Sequence, residues 1–565
     1  MKRFKKYFFL LILSCMSFMH TQARNIDINV NTIKGDLTMQ LRSMCNRATY
    51  NDTVVLNFGK GTVTIDGSLE LKCHVVIKGA GSKKSTIILD NGSDRNGFKA
   101  FTDDSFIKVY GTLKNPVTLS ISDVTFKLKE HKGIWWQDSR DQYAVKVYHA
   151  NHVDIHDVES YMQNAKITNF DLHVCSNVYV SDCIIFNHNN CDTGGNLWVR
   201  GTMDNINIKR NKFYKYGNDE VVAIFDRLVD NSKEYIRGKA VRTNIFIEDN
   251  EFYYGDYKGK DKDASAYNQM LLSLITDHKK SEDRCITRNF HANGNKFYIN
   301  DVCTRCMYIS FDPADAHENI YIENNQIVNS ALKTDMRYYR QDIEVNDLSS
   351  CGDTIHIVGN SVKNKDIVIN NSGNSGYSFL LVQGGNVDMR NNKIVNDATI
   401  NPLDGKITGV QLVWCGASGG VVNMRDNVCK GLKFISTVGA GNGTKSFTLN
   451  ASNNYFSGDT RIYCNKIKQL DLNFTGNTFV SHDMNFFLQE FASRGTLIFN
   501  NNQVTVNSGS GRLMTHWDKT SLESKRFDKL EVKNNIFKGV KNEQDLLRHI
   551  TNTGKRSITG NSIRP

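Results

Sequence analysis

The sequence predicts an all-β fold in which short parallel strands stack into a solenoid behind one capping α-helix. Two observations support this prediction. A short segment recurs along the chain, as in "ENNQIVNS" at 323–330 and "RNNKIVND" at 390–397, with a small polar residue, an Asn, any residue and an apolar residue. The residues before each copy alternate between apolar and polar, which is the period of a strand with one buried face.

Residues 1–23 have the form of a secretory signal. A basic start, MKRFKK, is followed by an apolar run at 7–18 that is too short to span a bilayer, and Ala23 ends a small-residue cleavage site. An alternative interpretation makes the segment a lipoprotein signal with Cys15 as the lipidated residue. Both interpretations predict an exported protein in the periplasm, on the cell surface or outside the cell.

The charge of the chain narrows the class of partner. The whole chain carries 70 Lys and Arg against 59 Asp and Glu, a net charge of +11, and loss of the four cations of MKRFKK lowers this to +7. An anionic polysaccharide would match this excess, although a solvated basic surface explains it as well. No Lys/Arg-rich block and no nucleic-acid motif is present, so we expect no nucleic-acid partner. No later stretch is apolar enough to cross a membrane, and we expect a monomer.

The segment "DLTMQLRSMCNRA" at 36–48 predicts the capping helix. Its apolar residues fall on one helical face, as Leu37, Leu41, Met44, Cys45 and Ala48. The first coil of a solenoid would otherwise expose an unpaired strand edge, so a cap is physically required. The alternation that starts at 62–81 begins the coils, and residues 24–565 are predicted to form a single domain.

Twelve asparagines of the recurring segment align in register, and the gaps between them range from 23 to 45 residues. They are Asn211, Asn250, Asn295, Asn325, Asn360, Asn392, Asn427, Asn454, Asn477, Asn502, Asn535 and Asn561, with Cys183 at the equivalent position upstream. Asn tolerates the left-handed backbone that a sharp bend needs. Stacked Asn amides can also hydrogen-bond from coil to coil. The segment is therefore predicted to be the corner of each coil.

The irregular gaps exclude leucine-rich repeats, which keep a period of about 20–29 residues, and the Trp-Asp signature of propeller blades is missing. With its alternating strands and Asn corners, the chain resembles the right-handed parallel β-helix, pectate-lyase-like superfamily over residues 50–565. The resemblance implies a right-handed parallel β-helix with a glycan lying across one sheet. The Asn-Thr-Asp, Gly-His-Gly and Arg-Ile-Lys triplets of polygalacturonases and the Trp-Ile-Asp-His element of pectate lyases are absent, so no specific enzyme family is implied.

The function implied by this resemblance is that of an exported, bacterial-type enzyme that degrades a polysaccharide, either a lyase or a glycoside hydrolase, on an acidic glycan. A second class stays open, because the same scaffold supports non-catalytic glycan-binding or surface-structural proteins.

Candidate catalytic residues come from aligning strand ends. The segments "LWVR", "AIFD", "LITD" and "ISFD" place Arg200, Asp226, Asp277 and Asp312 at one strand end in successive coils. In a lyase, Asp226 and Asp277 would hold Ca²⁺ while Arg200 neutralises or deprotonates a uronate. In a hydrolase, Asp226 and Asp312 would be the acid and the base, at the inverting separation of about 6.5–9.5 Å. A third interpretation makes these residues acids at solvent-facing turns in imperfect register.

Further candidates lie nearby. Asp192, with Asp219 or Glu220, forms a second-choice carboxylate pair across one coil step. Four tryptophans could stack against sugar rings or could simply pack, namely Trp135, Trp136, Trp198 and Trp414. The longest predicted loops, at 227–243, 255–268 and 277–289, lie beside the aspartates, and long loops on a rigid scaffold tend to carry function.

Overall fold

A computed structural model of the protein describes the chain in segments. The described residues are 23–90, 105–129, 142–163, 167–188, 194–217, 219–226, 239–255, 269–276, 284–300, 305–329, 333–334, 340–364, 368–370, 377–396, 399–401, 410–431, 435–440, 444–458, 461–465, 467–481, 488–490, 494–507, 527–547 and 554–564. The predicted signal segment, apart from Ala23, lies outside them.

Nearly all of the strands belong to three long sheets, which we call A, B and C. Sheet A contains Asn25–Asn29, Thr53–Asn57, His74–Lys78, Val117–Ser122, Ala150–His156, Ser176–Ser181, Met203–Lys209, Lys239–Glu248, Arg284–Asn293, Ala316–Glu323, Cys351–Gly352, Ile355–Val358, Asn386–Arg390, Gly420–Arg425, Ser446–Ser452, Gln469–Thr475, Gly495–Asn500, Lys529–Lys533 and Lys555–Thr559.

Sheet B contains Gly61–Ile65, Ser85–Leu89, Thr125–Leu128, Glu159–Gln163, Ile184–His188, Lys212–Tyr216, Glu251–Tyr254, Lys296–Ile299, Gln326–Asn329, Ser361–Asn364, Lys393–Asn396, Val428–Gly431, Tyr455–Ser457, Thr478–Ser481, Gln503–Val506, Ile536–Lys538 and Ser562–Arg564.

Sheet C contains Leu69–Leu71, Ser105–Tyr110, Gln142–Tyr148, Ile167–His173, Leu197–Arg200, Asp219–Phe225, Gln269–Ile275, Arg305–Phe311, Arg340–Asp347, Tyr377–Val382, Val410–Cys415, Ile435–Ala440, Arg461–Asn465 and Leu488–Glu490. A small additional sheet joins Lys333–Thr334, Val368–Asn370 and Thr399–Asn401.

The chain visits the three sheets in turn. Ala150–His156 lies in sheet A, Glu159–Gln163 in sheet B and Ile167–His173 in sheet C, and the next strand, Ser176–Ser181, returns to sheet A beside the first. Its pairing with Ala150–His156 is parallel, as are the other strand pairings of the described residues. Connections between parallel strands take the right-handed form. The protein is a right-handed parallel β-helix, as the sequence predicts.

Alternate residues of each strand fill the interior of the coil. On sheet A, Ile206 and Ile208 pair in register with Ile245 and Ile247 of the next coil, and all four are fully buried. Sheet B adds interior aromatic stacks, such as the contact between the rings of Phe213 and Phe252 at 5.2 Å. Each coil thus buries its apolar face against its neighbours, which is why one coil alone could not fold.

The capping helix runs over Leu37–Cys45, and the side chain of Asp36 caps it by accepting a hydrogen bond from the Met39 amide at 2.9 Å. Leu41 and Cys45 are buried, and the partly buried Leu37, Met44 and Ala48 pack against the same core, which confirms the predicted face. One strand, Asn25–Asn29, precedes this helix, ahead of the predicted start of the coils.

The described residues form two further short helices. They are a 3₁₀ turn at Val30–Thr32 and an α-helix at Glu543–Leu547. Within the described segments, none of the helices combines the length and the apolar composition needed to cross a bilayer.

The predicted Asn corners form a continuous ladder between sheets A and B. The side-chain Nδ2 of each ladder Asn donates to Oδ1 of the next at 2.9–3.1 Å, from Asn211 through to Asn561. The backbone N–H of each donates to the same oxygen, for example Asn325 to Asn360 at 2.9 Å. Cys183 occupies the first position, where its N–H donates to Asn211 at 3.0 Å.

The left-handed backbone belongs to the residue before each ladder Asn, which corrects one part of the prediction. Arg210 has a φ of 57°, Asn324 of 53° and Asn391 of 55°, while the ladder residues that follow them do not have positive φ. Glycine takes the same place before Asn360, where Gly359 has a φ of 67°. The bend is therefore made by the preceding residue, and the ladder Asn is required for its amide.

Candidate functional site

Three neighbouring strands of sheet C carry charged and aromatic side chains on the face turned away from the core. Leu172 and Val199 lie in register with Val147 and are fully buried in the core, so the residues that alternate with them point outward. These outward positions pair as Lys146 with Asp171 and Trp198, and as Tyr148 with His173 and Arg200. We call this set the polar cluster: Lys146, Tyr148, Asp171, His173, Trp198 and Arg200.

Asp171 lies at the centre of the polar cluster. Its Oδ2 is 2.7 Å from Nε2 of His173, and its Oδ1 accepts a hydrogen bond from Nε of Arg200 at 2.6 Å. The side chains of Asp171 and His173 have no exposed surface, and that of Arg200 is 5% exposed. Burying charges is costly unless they are paired and hydrogen-bonded, so the cluster depends on all three partners.

The surrounding charges fix the ionisation of these groups. Burial opposes ionisation of Asp171, but the hydrogen bond from His173 and the positive charges of Arg200 and Lys146 outweigh it and lower the pKa of Asp171 below its usual range. Burial, helped by the cations Arg200 and Lys146, lowers the pKa of His173, although Asp171 acts in the opposite direction. Near neutral pH the pair is therefore a carboxylate and a neutral imidazole.

This ionisation state assigns the proton on the imidazole. An ionised carboxylate can only accept, so Nε2 of His173 must donate to Asp171. Nδ1 then carries a lone pair, and it is buried with no hydrogen-bond partner among the residues that the structure describes. A carboxylate that orients a neutral histidine and leaves its second nitrogen as a base is a general-base arrangement.

Aromatic rings surround the cations of the cluster. The Arg200 guanidinium lies 4.4 Å from the ring centroid of Trp198 and 5.3 Å from that of Phe225. The Lys146 ammonium lies 4.2 Å from the ring centroid of Tyr143. Cations over ring faces are attracted by the ring quadrupole, which holds both side chains in place.

Gly195 makes room for the indole of Trp198. A Cβ atom at Gly195 would lie 2.1 Å from Nε1 of Trp198, which no side chain could tolerate. Nε1 of Trp198 is buried and has no partner within the described segments. Trp198 thus places next to the buried charges a donor that no described residue uses.

The backbone bends sharply directly after His173. Val174 has a φ of 52°, a left-handed conformation that is strained for a β-branched residue, and its N–H donates to the Arg200 carbonyl at 2.9 Å. His149 and Gly201, which follow the neighbouring strands, have φ values of 50° and 80°. Strained residues of this kind persist where the surrounding structure holds them, and they concentrate at functional sites.

The structure corrects the alignment of strand ends on which the catalytic prediction rests. Arg200 pairs with Phe225, which pairs with Ile275, which in turn pairs with Ser310. Asp226 therefore lies one residue beyond the level of Arg200, and Asp312 lies two residues beyond it. Arg200, Asp226 and Asp312 are not one column, because the strands end at different residues.

Asp226 and Asp312 lie at the end of sheet C, where the chain turns toward sheet A. Asp226 is buried. Burial raises the pKa of the Cys285 thiol to about 11, and the negative charge of Asp226 acts in the same direction. The half-buried Asp312 donates its backbone N–H to Oγ1 of Thr276 at 3.0 Å and to the carboxylate of Asp315 at 2.7 Å.

Asp277 lies outside the described residues, so the prediction that Asp226 and Asp277 hold Ca²⁺ stays a prediction. Within the segments that the structure describes, no three His, Cys, Asp or Glu side chains are grouped so that they could hold a metal ion. The described residues therefore offer no such group for Ca²⁺, and no catalytic step is assigned to the ion.

The remaining predicted residues fall into two groups. Asp192, Trp135 and Trp136 lie outside the described residues. Asp219 begins a strand of sheet C and lies in register with Gln269. Burial lowers the pKa of the Arg200 guanidinium, but Asp171 and, to a smaller extent, the buried Glu220 raise it, and the net shift is upward.

Trp198 and Trp414 occupy the same outward row of sheet C. The row runs through Ala223, Ser273, Tyr308, Glu344 and Leu381 in successive coils. Both tryptophans therefore face the same side of the molecule, about six coil steps or 29 Å apart. Sugar binding by either of them stays a prediction.

The prediction from sequence missed Asp171, His173 and Lys146. The sequence pattern that could have indicated them is a pair of outward polar or aromatic residues on each of three consecutive strands. The three segments are "KVY" at 146–148, "DLH" at 171–173 and "WVR" at 198–200. Each segment reads as an ordinary alternating strand by itself, and only the register between coils shows that the polar residues meet.

Comparisons with known proteins give structural neighbours of low sequence identity. No protein-family model matches the chain, and no curated protein matches it in sequence. Tailspike protein 3 of bacteriophage CBA120 is similar with a TM-score of 0.35 and 10% identity, over 91% of this chain and 60% of that one.

Two further solved structures cover more of their own length. A mutant tailspike protein of the E. coli bacteriophage HK620, in complex with a hexasaccharide, has a TM-score of 0.39 and 12% identity over 94% of this chain and 74% of its own. A mannuronic-acid-specific polysaccharide family 6 lyase from human gut microbiota has a TM-score of 0.31 and 11% identity, over 80% of this chain and 87% of the lyase chain.

Proposed function

We propose that the protein is an exported enzyme that cleaves an acidic polysaccharide by β-elimination, with the polar cluster as its catalytic centre. The observation that carries the proposal is the buried pair of Asp171 and His173, in which Nδ1 of His173 lies beside Arg200 and has no hydrogen-bond partner among the described residues. Elimination from a uronate needs a base and a cation at one place, and the cluster offers both.

The proposed step begins with the carboxylate of the sugar. Arg200 and Lys146 neutralise that carboxylate, which makes the proton on the adjacent carbon more acidic. Nδ1 of His173 accepts this proton, the electron pair forms a carbon–carbon double bond, and the glycosidic carbon–oxygen bond breaks. Asp171 stabilises the imidazolium that forms.

The leaving oxygen takes a proton in the same step. Tyr148, whose ring centroid lies 4.6 Å from that of His173, is the candidate donor. A phenol has a pKa near 10 and can protonate a departing alkoxide. The products are an unsaturated uronate at one new end and an ordinary sugar at the other, so atoms and charges balance.

Hydrolysis is the second candidate reaction. It calls for two carboxyl groups, one of them protonated through a raised pKa. Asp171, the carboxyl group hydrogen-bonded to both His173 and Arg200, has a lowered pKa instead. This favours elimination. The hydrolytic pair predicted from the sequence, Asp226 and Asp312, is retained as the alternative.

The test is a screen of the mature protein against polysaccharides rich in uronic acids, with neutral glycans as controls. We expect ultraviolet absorbance from an unsaturated uronate product. New reducing ends without that absorbance would replace elimination by hydrolysis. Binding without any cleavage would support the competing class, a non-catalytic glycan-binding or surface-structural protein.

A further inference from the structure

One buried carboxylate holds the chain just before its first strand. Oδ1 of Asp52 accepts hydrogen bonds from the backbone N–H and from Nε of Arg24, both at 3.1 Å, and Oδ2 accepts one from Nη2 of Arg24 at 2.8 Å. Oδ2 also accepts from the N–H and the hydroxyl of Thr49, at 2.8 and 3.0 Å. The Asp52 side chain is 2% exposed, and that of Arg24 is 60% exposed. We call Arg24, Thr49 and Asp52 the N-terminal clasp.

The clasp joins the first strand to the coils. Arg24 directly precedes Asn25–Asn29, and Asp52 directly precedes Thr53–Asn57, the strand that pairs with Asn25–Asn29 in parallel register. The capping helix lies between these two strands in the chain, and Thr49 follows it. Chain ends are poorly ordered unless they are tied down, so the clasp fixes the first strand where it begins.

The Asp52 carboxylate is ionised at neutral pH. Hydrogen bonds from the Arg24 side chain and the Thr49 backbone outweigh the opposing effect of burial and lower the pKa of Asp52 well below its ordinary range. While Arg24 is joined to Ala23 by a peptide bond, its backbone nitrogen meets this charge only as a neutral amide. A charged donor in the same place would make a hydrogen bond about twice as strong.

Removal of the predicted signal segment would supply that charge. The sequence places the cleavage site after Ala23, which is the residue bonded to the Arg24 nitrogen. Hydrolysis breaks this peptide bond, since water gives its hydroxyl to the Ala23 carbonyl carbon and a proton to the Arg24 nitrogen. The new carboxyl group then releases a proton, and the freed amine takes one up to become an ammonium group.

We infer that cleavage between Ala23 and Arg24 completes the clasp, in which the new α-ammonium of Arg24 binds the buried carboxylate of Asp52. The nitrogen already lies 3.1 Å from Oδ1 of Asp52, so the ion pair needs no rearrangement of the chain. Processing thereby stabilises the first strand in the exported protein and not in its precursor. This inference rests on the export that the proposed function includes, and on none of its catalytic residues.

The first measurement identifies the N-terminus. The whole chain is produced in a bacterium with a secretion pathway, and the product is analysed by mass spectrometry. We expect an exported protein that begins at Arg24. A chain that retains residues 1–23, or one that begins at a lipidated Cys15 or at any other residue, would overturn the inference.

The second measurement compares a chain that begins at Arg24 with one that keeps residues 21–23, in which the Arg24 nitrogen stays a neutral amide. At about pH 6.5 we expect the amides of Asn25–Asn29 to exchange with solvent about threefold to tenfold more slowly in the first chain. The pKa of its α-amine, measured from the pH dependence of acylation, should lie about 0.5–1 unit above the ordinary range of about 7.7–8.0. Because the pKa is raised, the stabilisation is present below the ordinary value and is lost as pH rises through the raised one.

Two variants of the chain that begins at Arg24 test whether Asp52 is responsible. Asp52→Asn should return the α-amine to its ordinary pKa and abolish the difference in exchange. Asp27→Asn, which changes an exposed carboxylate on the first strand, should leave both unchanged. The comparison of the two unsubstituted chains serves by itself if Asp52→Asn does not fold.

The outcomes separate the clasp from the catalytic proposal. Equal exchange in the two chains, or an ordinary pKa for the α-amine, would overturn the clasp and leave the catalytic proposal intact. A polysaccharide screen without cleavage or binding would overturn the proposed enzyme and leave the clasp intact, because neither measurement on the clasp uses a substrate.

Discussion

The corner between sheets A and B and the outer face of sheet C follow opposite rules. At the corner, one residue type repeats coil after coil and makes the same amide hydrogen bond each time. On the outer face, one row changes from Lys146 to Asp171 to Trp198 in three consecutive coils. Both places are buried and polar. Repetition marks the residues that hold coils together, and buried polarity without repetition marks the candidate site.

The largest effect should come from the carboxylate of the polar cluster. We expect Asp171→Asn to lower kcat/KM for the polysaccharide by a hundredfold to ten-thousandfold. An amide cannot neutralise Arg200 or stabilise a protonated His173, so the base loses its partner. The measurement is the rate of unsaturated product formation, together with a melting curve to show that the variant is folded.

Three further Asp→Asn variants test whether the effect is specific to Asp171. Asp471→Asn changes a distal carboxylate on sheet A, which accepts a hydrogen bond from Gln469 at 2.7 Å, and should leave activity unchanged. Asp226→Asn and Asp277→Asn test the catalytic acids predicted from the sequence. A loss of activity in these two, with none in Asp171→Asn, would move the site to the end of sheet C.

The ladder should respond in stability instead of activity. We expect Asn325→Ala to lower the free energy of unfolding by about 2 kcal/mol, because the N–H and side-chain amide of Asn295 both lose their acceptor in the core. Asn561→Ala, at a partly buried rung, should cost less. Chemical denaturation of both variants checks the difference. Equal costs would contradict the expected dependence on burial, and no cost in either variant would mean that the ladder contributes little.

The pH dependence of activity should also come from the outer face. His173 must be neutral to accept a proton, and burial lowers its pKa below the ordinary 6.5. Activity should therefore be constant above the pKa of His173 and fall as pH drops through it, with a midpoint below 6.5. Asp171 stays ionised throughout this range because its pKa is lowered as well. A pH profile of kcat/KM on the polysaccharide measures the midpoint, and one above the ordinary value would contradict the assignment.

The smallest effect should be at the bend after His173. Val174 has a φ of 52°, and a left-handed backbone costs a non-glycine residue about 1–2 kcal/mol. We expect Val174→Gly to raise the melting temperature slightly, since relief of strain exceeds the added entropy of the unfolded chain. Gly201 already occupies the equivalent position one coil later, with a φ of 80°. A lower melting temperature would show that packing of the Val174 side chain outweighs the strain.

The fold could be predicted from the sequence because its signals are local. Period-two alternation and the Asn at each corner are visible within eight residues of sequence. The structure contains the ladder from Asn211 to Asn561 that the sequence alignment of these asparagines predicts. The capping helix could be predicted for the same reason, from one apolar face.

The site could be predicted only in part, because it depends on register. Arg200 was a candidate and lies in the polar cluster, but the carboxylate it binds is Asp171, one coil earlier, and not Asp226. Aligning strands by their last residue failed because Leu197–Arg200 ends at the level of Phe225, one residue before Asp226. Burial of Asp171 and His173 is a tertiary property, which the segment "DLH" does not reveal.

The rungs of the ladder have a consequence for protein engineering. The chain between Asn250 and Asn295 spans 45 positions and that between Asn454 and Asn477 spans 23, yet the amide bond is 3.0 Å in both. Rung geometry is thus independent of the length of the connecting segment. Foreign peptides inserted into the connections of chosen coils would be displayed at multiples of about 4.8 Å along a rigid axis, so the molecule could serve as a scaffold for antigen or enzyme display at set distances.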